Sequence, residues 1–395
     1  MLRFFVSVGL SWALLACGGG YPQVDVHVEL GGQDIHTTVD SEVAKYYLEH
    51  YLKGDRVRPQ LDTTIDNIER GITGGLPTRV SLKSLTQAHS TDFAALVLWQ
   101  HMLRDPANRL AQSLFSQEFL QVKTNTTADA ARFTPAKDNY SIAFVPGWFY
   151  KSQPENGADF AKPRRVLTES GAKTTLVQIE ENGSVERNAD LIAEQILRLA
   201  LSEQKIILVS ASKAGPEVAL ALTKLRQARQ PHNVKAWVNI GGLLHGSSLA
   251  DEAVKWPTRW YVKFFITGGR SFDGIDSLTT KRSVDRARRL GLPDDVVVVN
   301  YVAIPLSGQV SNRARLGYSL LRNEGPNDGL TQIVDEIPSR SITIAELGLD
   351  HFFDDPEIHL KTVALARTVI RFIENRPYLP SNPALDTETP QVLRR

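Results

Sequence analysis

Lys205-Ile206-Ile207-Leu208-Val209-Ser210-Ala211-Ser212-Lys213-Ala214-Gly215-Pro216-Glu217 joins a continuous apolar run to a serine set among small residues. A helical pattern follows at once in Val218-Ala219-Leu220-Ala221-Leu222. An apolar run bounded this closely reads as a buried strand, and the serine then sits on a sharp strand-to-helix turn. Such a turn lifts the hydroxyl above the sheet, where it can act as a nucleophile. The turn is crowded, so the residues two before and two after the serine must be small. Here they are Ser210 and Ala214, where the familiar form of the turn has glycines. A small-x-Ser-x-small pattern is common; its place between one strand and one helix gives it meaning.

Working outward, residues 140–145 are strand-like and end in Pro146-Gly147-Trp148. Further strand-like runs stand at 174–179, 234–240, 296–302 and 341–345. Helical patterns separate them, as at 185–200, where Asn188, Leu191, Ile192, Gln195, Ile196 and Leu199 mark the inner side. Short apolar runs alternating with helices predict a mainly parallel α/β sheet covered on both faces. A last helix over 357–375 is stopped by Pro377, and the tail beyond reads as flexible. Between Leu243 and Pro293 lies an insertion bearing Trp256, Trp260, Tyr261, Phe264 and Phe265. These aromatics fit a lid or cap over the site and fit ordinary helix core equally well.

Before the sheet, residues 21–39 are short and strand-like, with Val24, Val26, Val28 and Leu30 on one face. Residues 41–124 read mostly as helices, including 92–103 with Ser90 or Thr91 as its cap. This region is expected to be a helical extension packed on the main domain. His89 and His101 lie in it and read as surface or packing histidines, since no Cys or His stands at metal spacing.

Composition narrows the function. The chain has 395 residues, 42% hydrophobic and 23% charged, with a net charge of +1. Those are the proportions of a globular protein with a sizeable core. No sustained basic stripe is present, which argues against a nucleic-acid partner. The nine histidines include no His-x-x-x-His or His-Glu-x-x-His, so a metal-dependent hydrolase is not expected.

The N-terminus begins with Met1-Leu2-Arg3, continues as an apolar run over 4–16 that is short for a membrane span, and ends at Leu14-Leu15-Ala16-Cys17. Gly18-Gly19-Gly20 follows. This resembles a bacterial lipoprotein signal, in which Cys17 would become the lipidated first residue of the mature chain. Cys17 is the only cysteine, so no intrachain disulfide can form. No acidic residue follows it, which by the usual sorting pattern implies the outer rather than the inner membrane of a Gram-negative envelope. A plain secretory signal with an incidental cysteine is the alternative.

A serine hydrolase needs a base, an acid to orient it and two donors for the oxyanion. In a doubly wound sheet of this kind the order is Ser, then Asp or Glu, then His. Downstream of Ser212, Asn327-Asp328-Gly329-Leu330 follows the fifth strand by a loop, and Asp350-His351-Phe352-Phe353 follows the sixth. Both lie beyond the carboxyl ends of parallel strands, where such sheets assemble their sites. Asp335, Asp354 and Asp355 are further candidates for the acid, and Asp350 is a weaker one, adjoining the histidine. Ser210 precedes the turn and is a poor nucleophile candidate. His245 reads as structural.

Taken in register, Pro146-Gly147-Trp148, Ser210-Ala211-Ser212-Lys213-Ala214-Gly215, residues 239–247, Asn327-Asp328-Gly329-Leu330 and Leu349-Asp350-His351 resemble the α/β-hydrolase superfamily, most closely its bacterial lipase and esterase branch. The likeness covers roughly residues 139–375. It implies Ser212 as nucleophile, His351 as general base, Asp328 as its orienting acid, and the backbone N–H groups of Trp148 and Lys213 as the oxyanion hole. No cofactor is implied.

Two departures stand out. The oxyanion loop has Pro146-Gly147 where lipases usually have His-Gly, and the turn lacks its glycines. The Lys213 side chain is expected to face solvent, the alternative being an anionic substrate group. The expected organisation is a signal peptide over 1–16, a tether and helical extension over 17–134, an α/β-hydrolase domain over 135–376 with a cap-like insertion at 243–293, and a tail over 377–395. The expected activity is cleavage of a small-molecule or lipid ester at a membrane reached through the lipid anchor. A thioesterase or amidase using the same residues, and a non-catalytic envelope lipoprotein on a hydrolase scaffold, are the alternatives.

Overall fold

The computed structural model describes residues 22–30, 33–124, 139–202, 204–263 and 271–374. The signal segment with Cys17, Phe264 and Phe265 of the insertion, and the tail lie outside the described residues. The described residues begin with an antiparallel strand pair, β1 (Val24–Leu30) and β2 (Gln33–Val39). Val26 and Val28 turn inward from it, as the alternation predicts. Five helices follow: α1 (Glu42–Glu49), α2 (Pro59–Gly71), α3 (Arg79–Ala88), α4 (Thr91–Arg104) and α5 (Pro106–Thr124). The α4 cap is Ser90, whose hydroxyl accepts from the Phe93 N–H at 3.1 Å. Phe93 to Leu98 are all buried, so this stretch of α4 is apolar on every side and runs through the interior.

The main sheet contains β3 (Tyr140–Val145), β4 (Lys173–Leu176), β5 (Lys205–Ala211), β6 (Val234–Ile240), β7 (Val297–Ile304) and β8 (Ile342–Leu347). Their spatial order is β4-β3-β5-β6-β7-β8, and every neighbouring pair is parallel. This is the α/β-hydrolase type of doubly wound sheet. The chain leaves β3 toward one edge and returns on its other side as β5. A crevice opens at such a reversal, beyond the carboxyl ends of the strands. The loop 146–148 leaves β3 there, and Ser212 leaves β5 beside it.

Between β3 and β4 lies α6 (Ala161–Glu169). On the opposite face α7 (Val185–Ala200) and α8 (Ala214–Gln227) cover the sheet. Val185, Asn188, Ala189, Ile192 and Ile196 make the buried stripe of α7, while Leu191, Gln195 and Leu199 are only half-buried beside it. Among its described residues the insertion between β6 and β7 supplies four short helices, α9 (Ser248–Ala253), α10 (Thr258–Tyr261), α11 (Asp273–Asp276) and α12 (Thr280–Ala287). After β7 come α13 (Arg315–Leu321) and, after β8, α14 (Ile358–Glu374).

The helical N-terminal region shares a core with the sheet. Ala111, Phe115 and Val122 of α5 pack with α14 and with Tyr301, Ile342 and Ile344 of the sheet. Asn108 and Gln112 also reach the outer edge of β8, where their side-chain oxygens accept the Thr343 N–H at 2.7 Å and the Ala345 N–H at 3.0 Å. An edge strand with free N–H groups is a template for unwanted pairing, and α5 closes it.

Candidate active site

Ser212 adopts a left-handed backbone with φ of 56°. That region is strained for a non-glycine residue, and such strain persists only where the surroundings over-determine it. Here the surroundings are explicit. The Ser212 N–H donates to the Ile240 carbonyl at 3.0 Å, and the Ser212 carbonyl accepts from Gly215 and Leu243 at 3.0 and 3.1 Å. The close approach that permits this falls one residue beyond the position singled out in the sequence. A Cβ on Gly215 would lie 2.7 Å from the Gly242 Cα and from Asn239 Oδ1, so Gly215 is the residue that must be bare. Ser210 and Ala214 need only be small, and both are buried. The Ser210 hydroxyl accepts from the Trp237 indole at 2.8 Å and takes no part in the site.

The Ser212 Oγ lies 2.9 Å from His351 Nε2. On the other side of the ring, Nδ1 hydrogen-bonds Asp328 Oδ2. The two loops are also stitched through their backbones, the His351 N–H donating to the Asp328 carbonyl at 2.9 Å. Asp328 is fully buried, and its Oδ1 accepts two backbone N–H groups, from Leu330 and Thr331, both at 2.8 Å. Burial pushes its carboxyl up, but the His351 charge and hydrogen bond and these two donors outweigh it and hold it below the usual carboxylate range. Asp328 is therefore an anion at neutral pH. Ser212, His351 and Asp328 are thus in one hydrogen-bonded line.

The other carboxylates are occupied elsewhere. Asp350 accepts from the Ser311 and Phe352 N–H groups, Asp354 from Arg313, and Asp355 pairs with Lys361. Asp335 pairs with Arg79 at 2.7 Å. His245 is bound through Nδ1 to the Asp335 carbonyl, a structural position as expected.

The loop after β3 passes the serine closely, since a Cβ on Gly147 would be 3.7 Å from the Ser212 Cβ. Neither the Trp148 nor the Lys213 backbone N–H donates to another group among the described residues. The bracing that a loop histidine would give comes instead from Trp148, whose indole N–H donates to Asn182 Oδ1 at 2.9 Å, and from the Gly147 N–H to the Ala158 carbonyl at 2.9 Å. Sequence reasoning missed Asn182, because a loop asparagine carries no periodic signal.

The Lys213 side chain does not face solvent. It is 2% exposed and runs beneath the insertion, its ammonium paired with the buried Glu217 one helical turn on. Asn188 of α7 donates to the same carboxylate oxygen at 2.8 Å. A side chain at Gly274 of α11 would meet Lys213 Cε at 3.2 Å, so the insertion seals the pair from water. The signal for this was the Lys213-x-x-x-Glu217 spacing, which puts opposite charges on one face of a helix.

Trp148 packs into an apolar cluster with Val185, Leu243, Phe272, Ile275 and Leu330. This cluster ties the loop after β3, the insertion and the Asp328 loop together beside the serine. Trp256 and Trp260, at 87% and 61% exposed, lie outside any core. Of the two readings of the insertion, helix core therefore fails for these two residues.

No family model and no curated protein matches this chain. Among solved structures it is similar to a metagenomic carboxyl esterase, at 20% identity over 62% of this chain and 78% of that one, with a TM-score of 0.48. It is similar also to a Bacillus licheniformis lipase in mature form, at 21% identity over 61% and 92%, TM-score 0.47. Lipase 1 from Pelosinus fermentans gives 14% identity over 62% and 100%, TM-score 0.40.

Proposed function

We propose that the protein is a serine hydrolase that cleaves carboxylic esters through an acyl-enzyme on Ser212. The observation that carries this reading is the line of contacts from Ser212 Oγ at 2.9 Å to His351 Nε2 and through Nδ1 to the buried Asp328 carboxylate. In the proposed reaction Ser212 Oγ attacks the ester carbonyl while His351 Nε2 takes its proton. Asp328 keeps the Nδ1–H tautomer and stabilises the imidazolium without itself being protonated. The carbonyl oxygen, now an anion, accepts hydrogen bonds from the Trp148 and Lys213 backbone N–H groups. The positive end of α8, which starts at Ala214, favours the same charge. His351 then protonates the leaving alkoxide, and water repeats the sequence to free the acid. Thioesters and amides would use the same groups.

The test is labelling with a fluorophosphonate probe alongside turnover of a p-nitrophenyl ester. Wild-type protein is expected to be labelled on Ser212, and Ser212→Ala to lose both label and at least about 10³-fold in kcat. Equal ester turnover in wild type and Ser212→Ala would sink the reading.

A further inference from the structure

Glu336 closes a short turn, Ile333–Glu336, in the loop that carries Asp328. It is completely buried, and among the described residues no N–H or O–H reaches either of its carboxyl oxygens. Its backbone is nonetheless held, since Asn239 Nδ2 at the end of β6 donates to the Glu336 carbonyl at 3.0 Å. The charged groups that face its side chain are Asp328, within hydrogen-bonding reach, and its neighbour Asp335. Arg79 and His245 lie behind Asp335 and interact with that residue.

A buried carboxylate without a single donor is costly, and more so beside another carboxylate. Two such groups in contact cannot both be ionised, so one keeps a proton. Asp328 has the Leu330 and Thr331 N–H groups and His351 to stabilise a charge; Glu336 has none. The proton therefore belongs to Glu336. Burial first, then the Asp328 charge and the hydrogen bond to it, push the Glu336 carboxyl well above its usual range.

We propose that Glu336 is a positioning residue, a neutral carboxylic acid whose O–H donates to the Asp328 carboxylate and fixes how that carboxylate faces His351. The donated hydrogen bond draws charge from Asp328, so the imidazolium is stabilised less than it would be by an unshared carboxylate. This proposal rests on the serine-hydrolase reading for its effect on rate, but not for the protonation of Glu336.

Infrared spectroscopy reads that protonation without any turnover. Wild-type protein at pH 8 is expected to show the C=O stretch of a protonated carboxylic acid that is missing from Glu336→Gln. Absence of any such difference overturns the proposal, whether or not the protein is an esterase. Ester hydrolysis then reads the consequence. Glu336→Gln keeps a donor and a neutral charge, so the acid limb of kcat/KM is expected within about 0.3 pH unit of wild type. Glu336→Leu lacks the donor. It is expected to lose roughly 10- to 100-fold in kcat with KM little changed, and to move the acid limb to higher pH. A folded Glu336→Leu whose limb and kcat match wild type overturns the positioning role. A Glu336→Gln limb displaced about one unit to lower pH overturns the neutral state, since it would mean that a negative charge had been removed. A wild-type protein that takes no fluorophosphonate label would refute the hydrolase reading alone.

Discussion

Lys213 is the residue at which local chemistry and sequence expectation part most sharply. Its side chain is 2% exposed and that of Glu217 is 0% exposed, so the pair lies in a dry interior next to Ser212. Burial pushes the Glu217 carboxyl up, and Lys213, followed by Asn188, pulls it only partly back. Lys213→Met would remove the largest pull and leave Glu217 with Asn188 alone. Losing one partner of such a pair typically costs about 3–5 kcal/mol, whereas replacing both with apolar groups costs far less. Urea unfolding should therefore show Lys213→Met well below wild type and Lys213→Met/Glu217→Met closer to it. The sign with pH follows from linkage. A carboxyl raised in the folded state loses stability as pH rises from its unfolded value toward its folded one, so the Lys213→Met deficit is expected to be larger at pH 8 than at pH 5. Equal deficits at both pH values would refute the account of Glu217 as the stranded charge.

At the scale of elements, the first turn of α4 carries a second acidic pair. Asp92 accepts from the Asp40 N–H at 2.7 Å and from the Ser307 N–H and hydroxyl at 2.9 and 2.6 Å, while Asp40 accepts from the Thr91 and Asp92 N–H groups. Burial and the Asp40 charge push Asp92 up to about 7. The pair thus binds a proton in the folded state that the unfolded chain releases near pH 4, and stability is lost as pH rises from about 4 to about 7. Asp92→Asn is expected to be destabilised overall, because both carboxylate oxygens accept N–H groups, yet to show a flatter dependence of unfolding free energy across that window. A parallel pH dependence would exclude Asp92 as the titrating group.

The elements themselves were largely legible. The inner strands announced themselves as continuous apolar runs because both faces of the sheet are buried there, whereas β4, half-exposed at the edge, ends at Leu176 rather than at 179. The helix α7 spans residues 185–200 as its periodicity implies, and the structure adds Ser184 as its cap. Ser212, Asp328 and His351 could be picked out because they stand in the chain order of the α/β-hydrolase pattern that the sequence resembles. The contacts that tune them could not. Asn182, Glu336 and Asn239 act across loops or strand ends, where spacing along the chain carries no record of distance in space.

For the molecule as a whole, the N-terminal helices are structural members of the sheet's own core. Asn108 and Gln112 terminate the β8 edge, and Leu98 and Met102 of α4 pack against Val302, Ile304 and Ala345. Removing residues 22–124 would expose this face and the free N–H groups of the edge. The remainder is expected to be insoluble or to unfold without a cooperative transition, as followed by solubility and by circular dichroism in urea. A soluble, cooperatively folding remainder would contradict the shared core. The same arrangement has a consequence for how the chain comes into being. Asn108 meets Thr343 across 235 residues, and Asp92 meets Ser307 across 215. At a ribosomal pace of about 5–20 residues per second, α5 emerges some 10–50 s before the strand it must cover. Its apolar face waits that long for a partner not yet made, so the newborn chain depends on whatever shields it during the interval.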